Sequence, residues 1–207
     1  MDARTARTDP APPRSAARER LLTTASELFY SEGVQAVGVD RLIAAAGVTK
    51  ATFYRHFPGK DALVLAYLDA RDRMVRSRLA EAAAAAPDPR STLAVLVEAL
   101  SAEVCGPGFR GCPFINAAAE YPDPAHPVRL LVAAHRRWFL DALTGLLTAC
   151  GHPDPAAGAG TLLLLRDGAM VGGYLDGPGT RTRIAQAATA LVGPLAGPPT
   201  GPQTGPA

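Results

Sequence analysis

Lys50, Thr52, Tyr54, His56 and Lys60 fall within eleven residues of one another, and each side chain can hydrogen-bond a nucleic acid. Lysine can donate to guanine O6 and N7. Threonine can bond a base edge or touch a thymine methyl group. Tyr54, His56 and Lys60 have the spacing that suits phosphate oxygens further along a groove. Ala51 is small enough to lie against a base or the sugar-phosphate backbone. Thr49 stands where a helix N-cap is needed. The competing reading is an ordinary helical hairpin with a solvated polar face. Against it stands the ordered run of turn Gly, cap Thr, Tyr, His, Phe and then Gly-Lys.

These residues need two short helices to hold them. Val39, Leu42, Ile43 and Ala46 have helical spacing and stop at Gly47. A second helix opens at once from Val48-Thr49. Two helices joined by a tight turn containing glycine form a helix-turn-helix, whose second helix enters the DNA major groove. Phe53 and Phe57, at i and i+4, are expected to face inward and hold the second helix on the first.

The rest of the chain reads as all-α, with about nine helices and no convincing strand. A first helix over about 15–31 places Leu21, Leu22, Ala25, Leu28 and Phe29 on one face, and Gly33 ends it. After the motif come helices at about 60–85, 90–104, 113–120, 128–150, 156–175 and 181–195, separated by Pro- and Gly-rich breaks. Residues 1–13 and 197–207 are Pro-, Gly- and Thr-rich with little to bury, and read as disordered tails. The expected division is therefore a DNA-binding domain over 14–60 and a second helical domain over 61–196.

Composition narrows the function classes. Net charge is only +2, but within residues 1–60 nine basic side chains face six acidic ones. The basic excess thus lies where the motif is. Three cysteines at unmatched spacings suit a reduced, cytoplasmic setting. No apolar signal region or membrane-length run is present in the sequence. His126, His135 and His152 lack the spacing of a metal site. There is no nucleophile elbow, phosphate-binding glycine loop or carboxylate constellation, so no enzyme and no cofactor is expected. The enzyme alternative would be a hydrolase using Cys112 with His126 or His135.

Residues 15–65, with SELFYSEGVQAVGVDRLIAAAGVTKATFYRHFPGKDALV at their heart, resemble the N-terminal domain of the TetR family of transcriptional regulators. The resemblance implies an all-helical homodimeric repressor that binds a palindromic operator in double-stranded DNA and leaves it on binding a small molecule. It assigns Lys50, Ala51 and Thr52 to base or near-base contacts and Tyr54, His56 and Lys60 to phosphates. It adds Arg41 as a weaker candidate. It also implies that the helices at about 156–175 and 181–195 form the dimer interface. There Leu162, Leu163, Leu165, Ala169, Gly172 and Gly173 would allow close approach. The alternative is that these residues pack within the monomer.

The segment GFRGCPFINAAAEYPDPAHPV, 108–128, also resembles sequence in a subset of these regulators. Ligand pockets are mostly apolar with a few placed polar groups. Phe109, Cys112, Phe114, Asn116 and Glu120 are therefore expected to line one. Met74 from the fourth helix, His135, Trp138 and Phe139 from the seventh and Arg166, Met170 and Tyr174 from the eighth complete it. An apolar or aromatic effector fits this set. The alternative is that the aromatics are core, and that Asn116 and Glu120 satisfy backbone groups or pair with arginines. Two further readings stay open: a DNA-binding regulator without an effector, and redox sensing through Cys112.

Overall fold

The computed structural model describes residues 15–177 and 179–193. Both tails, and the end of the ninth helix at Leu195, lie outside the described residues. Helices α1 (Ala16–Glu32), α2 (Val39–Ala46) and α3 (Lys50–His56) form the N-terminal unit. Then follow α4 (Lys60–Ala85), α5 (Pro89–Val104), α6 (Pro113–Glu120), α7 (Pro127–Ala149), α8 (Pro155–Leu175) and α9 (Gly179–Val192). Among the described residues there is no strand.

The chain marks many of its own helix ends. Thr49, Asp88, His126 and Asp154 each accept a backbone N–H in the first turn of the helix they open. Proline occupies the first turn of α5, α6, α7 and α8, where its missing N–H costs nothing. Gly47 closes α2 in the left-handed region at φ 61°, a conformation that favours glycine. Its N–H and that of Val48 bond back to the carbonyls of Ala44 and Ile43, each at 3.2 Å.

One apolar core joins the N-terminal unit to the rest. Leu21, Phe29, Leu42 and Phe53 share it with Leu63, Val64, Tyr67 and Leu68 of α4, and with Phe114, Val128 and Met170 further on. A second cluster, including Leu93, Leu147, Leu162 and Val192, fills the far end between α5, α7, α8 and α9. Helix α4 therefore runs from the helix-turn-helix into the C-terminal bundle, packing against α1, α5 and α7.

The small residues of α8 mostly serve this interior. Leu162 and Ala169 are buried. Gly173 lies so close to Val104 of α5 that an added Cβ would stand 2.6 Å from the valine Cβ, and Gly172 lies against Thr180 of α9. The monomer-packing alternative thus describes these positions. The outward face of α8 is instead built from Leu164, Val171 and Leu175, of which Leu164 is 71% and Leu175 70% exposed. A shallow depression beside it reaches Ile115 of α6 and Val132 of α7.

Candidate DNA-reading interface and the adjoining cavity

Helix α3 is short, and its footing is fixed from below. Phe53 and Phe57 are buried, with ring centroids 6.2 Å apart, and the Arg18 guanidinium covers Phe57 at 5.2 Å. The Thr49 hydroxyl accepts the Thr52 N–H at 3.2 Å and lies 2.9 Å from the Thr52 hydroxyl. With the apolar side held down, the opposite side faces solvent. Lys50, Ala51, Tyr54 and Arg55 are exposed, and Thr52 and His56 are half-buried. The Tyr54 ring stands edge-on to Phe53, which aims it outward at 48% exposure.

The flanking candidates are more engaged. His56 Nε2 lies 3.3 Å from the Ser15 hydroxyl. Lys60 donates weakly to the Gln35 carbonyl at 3.4 Å. Arg41 donates to Glu32 at 2.6 Å, so its charge is answered within the protein although the side chain is exposed. The resulting surface is a row of donors and small side chains on one exposed helix face. Phosphate contact and base readout both need such a face.

A cavity of about 190 Å³ opens beside α4, enclosed by α4, α5, α7, α8 and the start of α6. Its wall is chiefly aliphatic and aromatic. The structure brings Met74, Phe114, His135, Phe139, Arg166 and Met170 together around it. Phe114 and His135 stack nearly parallel, with centroids 3.7 Å and planes 8° apart. His135 reaches across to Asp72 of α4. Burial holds the imidazole below its ordinary pKa, outweighing the Asp72 carboxylate beside it. Arg166 donates to the Cys112 sulfur at 3.2 Å and pairs with Asp167 at 2.9 Å.

Of the other expected pocket residues, Cys112, Asn116, Glu120 and Tyr174 come together with Met170 around a second hollow of about 280 Å³ between α1, α6 and α8, and Phe109 and Trp138 lie apart from both. Phe109 packs near Gly173 and lines a separate small hollow. Cys112 is buried behind Arg166, at the N-cap of α6. Asn116 donates to the Arg110 carbonyl at 2.8 Å, and Tyr174 lies under the Arg110 guanidinium. Trp138 is covered by Arg76 at 4.1 Å. Glu120 satisfies backbone groups: its carboxylate accepts the N–H of Val34 at 2.9 Å and of Gln35 at 2.5 Å. A helix of eight residues offers two faces, and the face carrying Asn116 and Glu120 turns from the cavity toward the N-terminal unit.

Several residues that matter here carried little signal in the sequence. Leu93, Leu96, Val97 and Leu100 of α5 form much of the wall, and Arg71 and Arg78 of α4 stand on it. The sequence marks 90–104 as a helix, but nothing local says that it borders a void. Tyr30 of α1 also bridges the two parts. It donates to the Gly111 carbonyl at 3.1 Å and accepts the Arg110 N–H at 2.9 Å. Tyr121 donates to Asp61, in the first turn of α4, at 2.8 Å.

A capped recognition helix on an apolar footing, ahead of a helical bundle, defines a helix-turn-helix transcriptional regulator. Comparison with known proteins agrees. Residues 21–67 match the family of bacterial regulatory proteins called tetR. A TetR-family transcriptional regulator from Streptomyces coelicolor has the same fold, with a TM-score of 0.82 and 46% sequence identity over 85% of this chain and 94% of its own. The chain belongs to the TetR family of transcriptional regulators, which are DNA-binding proteins and not enzymes. The LmrA regulator of Bacillus subtilis is 28% identical over 58% of this chain and 66% of its own length. The activator FasR of Mycolicibacterium smegmatis is 38% identical, with the match spanning 40% of its length. The repressor NemR of Escherichia coli is 26% identical over 74% of its length. Among the described residues no helix is long and apolar enough to cross a membrane. Nor does any group of three acidic, histidine or cysteine side chains there form a metal site.

Proposed function

We propose that the protein is a cytoplasmic, homodimeric repressor that binds a palindromic operator and releases it when a small molecule enters the cavity beside α4. The observation that carries this reading is the course of α4. It packs against α1 at one end and supplies Met74 and Val75 to the cavity wall further along. A ligand that favours one position of α4 therefore favours one placement of α3, through its differential affinity for the two states. Base contacts fall to Lys50, Ala51 and Thr52, phosphate contacts to Tyr54, His56 and Lys60, with Thr49 capping the helix and Arg41 at the margin. The outward face of α8 supports self-association through α8 and α9, since Leu164, Val171 and Leu175 form an apolar strip that a second copy would cover. Two recognition helices would then meet successive major grooves about 34–36 Å apart. Repression, as against activation, follows the habit of the family.

Selection of bound fragments from random DNA is the direct test. An inverted repeat with half-sites about one helical turn apart is the expected product. Recovery of single, unpaired half-sites, with a monomer in sedimentation, would overturn the dimeric reading.

A further inference from the structure

Four arginines lie along one stretch of α4, and the sequence pairs only two of them. Arg73 has Asp69 at 2.9 Å and Arg76 has Asp72 at 2.7 Å, each four residues earlier. Arg71 and Arg78 have no carboxylate within ion-pair distance among the described residues. Four residues before them stand Tyr67 and Met74. Glu81, three residues after Arg78, accepts the Ser77 hydroxyl at 2.6 Å. Arg71 lies over the Tyr30 ring at 5.6 Å and touches the Met74 sulfur. These two arginines, which no carboxylate answers although Arg71 also hydrogen-bonds Tyr67, are the ones on α4 that line the cavity.

We infer that the cavity takes an amphipathic monoanion, an apolar carboxylic acid whose head group lies at Arg71 and Arg78 and whose body fills the apolar wall. The inference rests on the ligand-responsive reading above and adds the chemical class. Arg71 and Arg78 are seven residues apart, about two turns or roughly 10 Å along one helix face. Their side chains are long enough to converge on a group between them, over Met74 and Val75. A guanidinium recognises a carboxylate through paired N–H donors. Arg166, the third arginine of the lining, is occupied by Asp167 and Cys112. One carboxylate, Glu103, also lines the cavity, beyond ion-pair distance of any arginine among the described residues. The lining thus holds three guanidinium groups against one carboxylate. Beside the arginines, Leu96, Val97, Leu100 and Phe139 offer an apolar slot, and the Phe114–His135 stack gives it a flat floor. A hydrocarbon chain or an aryl ring fits such a surface.

The test is calorimetric titration of the full chain with decanoate and 2-naphthoate, each beside a neutral counterpart, decan-1-ol and 2-naphthamide. The acids are expected to bind about tenfold more tightly than their counterparts, with affinity falling as salt is raised. Arg78→Gln and Arg71→Gln should each remove most of that preference and leave the neutral compounds unchanged. Arg71→Lys, which keeps the charge, should retain part of it and serves as the check on folding. Neutral compounds binding as well as the acids, or a preference that survives both glutamine variants, would overturn the head-group assignment and leave the cavity as a ligand site. Binding of neither series would overturn the cavity itself, and with it the ligand-responsive reading.

Discussion

His135 of α7 and Asp72 of α4 meet at 2.7 Å, imidazole Nδ1 to carboxylate oxygen, on the cavity side of the bundle. The surroundings of the pair favour an ionised aspartate and a neutral histidine. Burial works against the Asp72 charge, but hydrogen bonds from Arg76 and His135 outweigh it and hold the carboxyl below its ordinary range. Burial, with Arg166 and Arg76 nearby, keeps His135 from protonating despite its acidic partner.

This pair sets a pH dependence of stability. The unfolded chain protonates His135 at about 6.5, its ordinary value, whereas the folded chain resists until lower pH. The stability from a neutral His135 is therefore present above about 6.5 and is lost as pH falls below it. Asp72 contributes in the same sense at lower pH, its share disappearing as pH falls through its depressed folded value. The melting temperature should be flat from pH 8 to 7 and decline from pH 6.5 toward 5. His135→Gln should flatten the decline in that window. An unchanged slope in the variant would exclude His135 as its origin.

The recognition helix predicts two kinds of loss. Lys50→Ala should cost about 1–3 kcal/mol per half-site and relax the preference at one base position. Lys60→Gln should weaken all sequences alike and reduce the salt slope of binding by about one per half-site. Fluorescence anisotropy against the selected operator, at several salt concentrations, separates the two.

Glu120→Gln should loosen the N-terminal unit from the bundle. The variant keeps one acceptor where a carboxylate now serves two backbone N–H groups. Loss of charge-assisted hydrogen bonding of this kind costs about 1–3 kcal/mol. Urea denaturation should show that loss, accompanied by weaker operator binding, because the anchored loop precedes α2. Unaltered stability would mean that water replaces the carboxylate without penalty.

Gly173→Ala should destabilise by about 1–3 kcal/mol, because its new Cβ meets both the Val104 Cβ and, at 2.8 Å, the Val104 carbonyl, which cannot swing away. Gly145→Ala is the counterpart. That helical position has nothing within 4 Å of the added Cβ, and the change should gain roughly 0.5–1 kcal/mol. Thermal melts of the two variants should move in opposite directions.

Local signals were enough to place the helices. Pro113 and the run after Glu120 bound α6 at 113–120 in sequence and structure alike, because proline and turn residues act on their immediate neighbours. The footing of α3 was legible for the same reason, since Phe53 and Phe57 at i and i+4 leave one inward face. The cavity was not legible to that degree. Phe114 and Glu120 sit on one short helix, and only the packing of α7 against one side and the α1–α2 loop against the other decides which of them meets a ligand. Arg71 and Arg78 look like solvated surface until α5 is laid beside α4. The glycines of α8 suggested a close crossing, and the structure supplies one, within the monomer at α5 and α9.

The shared core of Phe29, Phe53, Tyr67 and Leu68 sets how the reading head can be handled as a piece. Cutting the chain after Lys60 would strip Leu63, Val64, Tyr67 and Leu68 from the sides of α1 and leave their apolar partners facing water. The portable unit is therefore longer than the motif that contacts DNA. A chimera that grafts this specificity onto another regulator must carry the first two and a half turns of α4 with it.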